Sequence, residues 1–152
     1  MALINDVEDQ MKTAMRQRDE LRLGTLRLML SELRLAEKNK RSDLDEAEEL
    51  KVLQRERKRR TEASQAFREG DRIEQAEREE AELVIIDEFM PSQLGKEDLV
   101  AIVDDVIAAT GATSSDQLGK VMGAVMPRVA GQADGNRVRE VVADRLAAAG
   151  AA

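Results

Sequence analysis

The chain has 152 residues, enough for one domain or two small ones, and is 42% hydrophobic and 36% charged. It holds neither cysteine nor histidine, which excludes disulfides, thiolate nucleophiles, cysteine metal sites and the usual neutral-pH acid/base. Twenty-four basic against 31 acidic residues give a net charge of −7, which argues against non-specific attraction to nucleic acid or anionic membrane while leaving room for a local basic patch.

Phe67 and Phe89 are the only aromatic residues, so the core has to be built from Leu, Val, Ile, Met and Ala. That composition, rich in charge, is typical of helices. No apolar run approaches the roughly 20 residues of a membrane span. The opening MALINDVEDQMK carries acids where a signal peptide needs basic charge and then an apolar run. The expectation is a cytoplasmic, all-α protein.

Leu3, Ile4, Val7, Met11, Ala14 and Met15 recur at helical spacing and predict a first helix closing near Arg16-Gln17-Arg18. Asp19 caps a second, from Glu20 to about Lys40, with Leu26, Met29, Leu30, Leu33 and Leu23 as its stripe. Ser42-Asp43-Leu44-Asp45 reads as a loop ending in a cap, after which Ala47, Leu50 and Leu53 open a third helix. The continued stripe of that helix meets Arg57, Arg60 and Ser64 before Phe67. Gly70-Asp71 breaks it. The fourth helix carries Ile73, Ala76, Leu83 and Ile86, again with one charged intruder, Glu80. The first helix pairs with the second and the third with the fourth, as two hairpins.

The charged intruders have two readings. In the first, Arg57 or Arg60 pairs with Glu79, Glu80 or Glu82 along a partly polar interface, the long stems packing apolar surface. In the second, Arg55, Arg57, Lys58, Arg59 and Arg60, five cations in six residues, form an exposed basic site in which arginine forks meet phosphate.

Pro91 marks a boundary, with helix ending at or before Met90 and Pro91-Ser92-Gln93-Leu94-Gly95 as linker. The division is into an N-terminal four-helix domain, 1–90, and a three-helix C-terminal domain, 91–152. Leu99, Ile102, Val103, Val106 and Ile107 make a helix ending near Gly111. Ser114 or Ser115 caps the next, Asp116–Met126. The last starts near Gly135, carries Val138, Val141, Val142 and Leu146, and frays into the terminal AAAGAA.

The stretch from Gly119 to Val138 holds four of the nine glycines and one of the two prolines. An interior helix glycine costs roughly 1 kcal/mol against alanine, so close backbone approach or a tight corner is expected. Val121, Met122, Val125 and Met126 form an apolar face. Gly119 and Gly123 stack on an adjoining face as a smooth strip, suited to tight helix–helix packing. Pro127 and Gly131 end the helix, and Asp134 caps the next.

G-K-V-M-G at 119–123, followed by G-Q-A-D-G at 131–135 and Val138, resembles the signature of the YqeY-like family. The same spacing resembles the tail domain of the B subunit of glutamine-dependent tRNA amidotransferases (GatB). Phe89-Met90-Pro91-Ser92-Gln93-Leu94 is similar to the junction those proteins share. The resemblance spans essentially the whole chain for the YqeY-like family, and from about Leu83 onward for the tail domain. It implies tRNA contact without catalysis, because the amidotransferase's chemistry belongs to a separate domain with no counterpart here. A carbon–nitrogen ligase label would be inherited from the larger subunit. The matching contact positions are Gly119, Lys120, Gly123, Gly131 and Gln132, with Lys120 and Arg128 placed to meet phosphate. Gly135 departs from the tail-domain pattern, which usually has proline there, although both residues fit a helix start.

The glycine motif is not a phosphate-binding P-loop, since Lys120 precedes Val121 and no strand leads into it. No metal or cofactor set stands out. Two classes of function remain: an RNA-binding accessory, and a helix-docking module for an amidotransferase or aminoacyl-tRNA synthetase. With so few aromatics, RNA binding would have to read backbone shape rather than stacked bases. Docking would use the glycine strip with Met122 and Met126, methionine being adaptable at interfaces.

Overall fold

The computed structural model describes residues 2–151, and every regular element among them is helical. Seven α-helices follow in order: α1 (Ala2–Gln17), α2 (Glu20–Lys40), α3 (Glu46–Glu69), α4 (Ile73–Asp87), α5 (Lys96–Thr110), α6 (Leu118–Val129) and α7 (Gly135–Ala151). One 3-10 turn, Ser115–Gln117, precedes α6. The helices gather into two compact units, residues 1–90 and 91–152.

Two helix starts in the first unit, those of α2 and α3, are written in side-chain chemistry. Asp19 accepts the Arg22 backbone N–H at 3.0 Å and starts α2. Asp45 accepts the Glu48 N–H at 2.9 Å while the Glu48 carboxylate takes the Asp45 N–H at 2.8 Å, a closed capping box at the head of α3. α1 pairs with α2 and α3 with α4, and α2 lies against both α3 and α4. Val7, Leu26, Met29, Leu33, Leu53 and Ile86 fill the core, almost wholly shielded from water.

In the second unit α5, α6 and α7 each pack against the other two. Leu99 and Val103 from α5, Val121, Val125 and Val129 from α6, and Val138, Val142 and Leu146 from α7 are fully buried. The 91–95 loop is tied into this unit. The Leu94 N–H donates to the Gln132 carbonyl at 2.8 Å, and the Gln93 side-chain amide donates to the Gly131 carbonyl at 3.1 Å. Gly131 is buried in a left-handed conformation, φ +78°, which only glycine adopts freely. Asp134 accepts the Asn136 N–H at 2.7 Å and opens α7.

Three sequence expectations are corrected. First, α6 begins at Leu118 and continues through Pro127 to Val129, rather than spanning Asp116–Met126. Asp116 belongs to the 3-10 turn, which Ser114 and Gln117 close as a capping box. Pro127 sits in the last turn, where few carbonyls remain to be served, and the Ala130 N–H still reaches the Met126 carbonyl at 3.1 Å. Second, α7 does not fray after Leu146 but stays helical to Ala151; Ala152 lies outside the described residues. Its last turn comes against the loop that leads into the 3-10 turn. A Cβ on Gly150 would stand 2.9 Å from the Thr113 carbonyl oxygen, so this glycine is the close-approach position. Third, Gly119 and Gly123 are not packing glycines: a Cβ on either meets nothing within 4 Å.

This contrast between glycines is testable. Gly131→Ala should destabilise the protein by about 1–2 kcal/mol, the cost of a left-handed non-glycine residue. Gly123→Ala should leave stability unchanged or raise it by up to about 1 kcal/mol, since a helix-interior glycine is removed without a clash. Urea-denaturation midpoints of the two variants check both.

Candidate functional site

The candidate residues fall into two groups, one in each unit. The first is the run Arg55–Arg60 on α3. The side chains of Arg55, Lys58 and Arg59 are exposed, Arg57 is half-buried, and Arg60 is only 5% exposed. The structure therefore divides the run instead of presenting it as one cationic patch. Arg60 lies inside the α3–α4 hairpin, with Nη1 2.8 Å from Glu56 Oε2 and Nε 3.2 Å from Glu82 Oε2. Glu56 is itself 2% exposed, and its Oε1 has only the Arg59 guanidinium, 3.3 Å away. Arg57 Nε reaches Asp87 Oδ1 at 2.7 Å. Arg55 lies 3.3 Å from Glu32 and Lys58 3.9 Å from Glu62. Each cation of the run faces a carboxylate, so the paired reading describes it, and Arg60 is a buried structural residue rather than a surface contact.

The same interface extends toward the hairpin tip. Glu80 accepts the Ser64 hydroxyl at 2.7 Å and a two-pronged contact from Arg68, at 2.7 and 2.8 Å. The Arg68 guanidinium, and then the Ser64 hydroxyl, hold the Glu80 carboxyl down to about 2. Glu79 is pushed the other way, first by burial and then by the neighbouring Glu82 carboxylate.

The second group surrounds α6. Gly119, Lys120, Gly123 and Pro127 are all exposed, and their spacing puts them on the side of α6 away from its buried Val121–Val125–Val129 stripe. Lys120 forms no ion pair among the described residues. Arg128 is turned toward α5, 3.4 Å from Asp105 Oδ2. Gly131 is buried, and its carbonyl and that of Gln132 are taken by Gln93 and Leu94. The structure thus brings Gly119, Lys120 and Gly123 together on an open surface and assigns Gly131 to the corner behind it. Pro127 adds a detail to that surface. It has no N–H, so the Gly123 carbonyl, four residues earlier, lacks its ordinary i+4 helical donor on an exposed turn.

Arg137 and Arg139, in the opening turns of α7, are cations that the sequence argument did not select. Neither forms an ion pair among the described residues. Arg139 has no acidic residue three or four positions away, a signal readable from sequence. Among the described residues no group of three acidic side chains is placed to hold a metal ion, and no helix is long and apolar enough to cross a membrane.

Among the described residues two helical hairpins, a three-helix unit and a glycine-bearing corner between the last two helices define a small all-helical class. A profile described as Yqey-like protein matches residues 4–146, and the chain belongs to the YqeY-like family. It is also 34% identical over 83 residues to an uncharacterized protein of Schizosaccharomyces pombe, a match covering 55% of this chain and 64% of that protein. The matched region therefore spans just under two thirds of the yeast protein.

Two predictions follow from the polar hairpin. Arg60→Ala leaves the buried Glu56 carboxylate with only the exposed Arg59, 3.3 Å away, and should cost about 3 kcal/mol; Glu56→Leu combined with Arg60→Met should recover most of that in the same denaturation assay. The second concerns acid. Because Glu80 is depressed in the fold, its ion pair stabilises fully above the ordinary carboxylate value of 4.5, and the contribution is lost as pH falls from there through about 2. Glu79, being raised, has the opposite sign and gains stability as it protonates. Glu80→Gln should therefore lose less stability than the unmodified protein between pH 5 and 2, measured by thermal melts across that range.

Proposed function

We propose that this protein is a non-catalytic tRNA-binding accessory, working in the cytoplasm, whose contact surface is the open face of α6. In this reading the two units are separate domains, and the C-terminal one carries the contact. The observation that carries it is the pair Gly119 and Gly123. Gly123 is a helix-interior glycine and so destabilising, Gly119 lies in the first turn of α6, neither is needed for packing, and both stand beside a lysine without an ion pair among the described residues. A bare helical surface lets a nucleic-acid backbone approach closely. Lys120 supplies a phosphate contact, and the Gly123 carbonyl freed by Pro127 supplies an acceptor for a ribose 2′-hydroxyl, the group that distinguishes RNA from DNA. Arg137 and Arg139 are further unpaired cations of the same unit. The resemblance to the tail domain of the tRNA amidotransferase B subunit supports the same assignment. The amidotransferase reaction itself is no part of the proposal.

Fluorescence-anisotropy titration of labelled total tRNA, at several salt concentrations and beside duplex DNA, tests it. The expected result is micromolar binding, stronger for tRNA than for DNA, that weakens steeply with salt. Lys120→Glu and Gly123→Leu should each weaken it by about tenfold, one through charge and the other through approach. Absence of tRNA binding at low salt sinks the reading. Retention of an amidotransferase or aminoacyl-tRNA synthetase by the same face, without RNA, would put the docking function in its place.

A further inference from the structure

We draw no further inference here: the strongest candidate, the exposed apolar face of α2 formed by Leu21, Leu28 and Leu35, carries none because nothing in the structure shows what covers it.

Discussion

The second unit depends on one backbone corner, at Gly131, and on the loop that grips it. With φ at +78° this residue turns the chain from α6 into α7, and the turn leaves the part-buried Gly131 carbonyl and the Gln132 carbonyl outside the helices. Gln93 and Leu94 supply the donors for them. Buried carbonyls without donors are unfavourable by the cost of desolvation, so the corner and the loop need each other. This explains why the two motif pieces that carry the family resemblance, around Pro91–Leu94 and around Gly131–Gly135, sit 38 residues apart in sequence and yet form one structural feature. Gln93 takes part through its side chain and Leu94 through its backbone, so of these two donors only glutamine's is written in residue identity.

In the first unit the ruling constraint is the polar stretch inside the α3–α4 hairpin. α3 is longer than the two-hairpin core it serves. The apolar supply ends near Leu53, and Glu56, Arg60 and Ser64 occupy inward positions beyond it. Opposite them α4 brings Glu80 and Glu82. A pair such as Glu56–Arg60 adds little net stability over leucines of the same volume, yet breaking it leaves an unpaired buried charge. Such a seam disfavours a shifted pairing of the two helices more than it strengthens the correct one.

Helix positions were legible from sequence because Asp19, Asp45 and the stripes around Leu26 and Val103 declare ends and faces locally. The close of α6 was not, because the rule that proline disfavours helix in the residue before it yields in a last turn already held by the core contacts of Val125 and Val129. The end of α7 was hidden for another reason. Gly150 reads as a breaker in a run of alanines, and its actual neighbour, the Thr113 carbonyl, is brought there by tertiary packing. In the candidate site, periodicity could place Gly119 and Gly123 on one face of a helix but could not say whether that face was covered. The arginine run shows the same limit. Sequence spacing placed Arg57 and Arg60 inward and named Glu82 among their partners, as Arg60 shows, but it did not find Asp87 for Arg57 or Glu32, on a third helix, for Arg55.

The distribution of paired and unpaired cations bears on how an acidic protein engages other molecules. A cation already matched to a carboxylate has to lose that partner, or share it, before it serves a new one, and the gain from a new anion is reduced accordingly. The dense run on α3 is of this kind, so its cation count overstates its attraction. Among the described residues Lys120, Arg137 and Arg139 in one unit, and Arg27 and Lys38 in the other, are sparse but form no ion pair. At physiological ionic strength screening confines each to about 8 Å, so the net −7 of the chain weighs less at these points than the local charge does. Recognition by such isolated cations needs a second element that brings the ligand close. Beside Lys120 the surface of α6 is bare helix at Gly119 and Gly123; on α2 the exposed surface is formed by Leu21, Leu28 and Leu35.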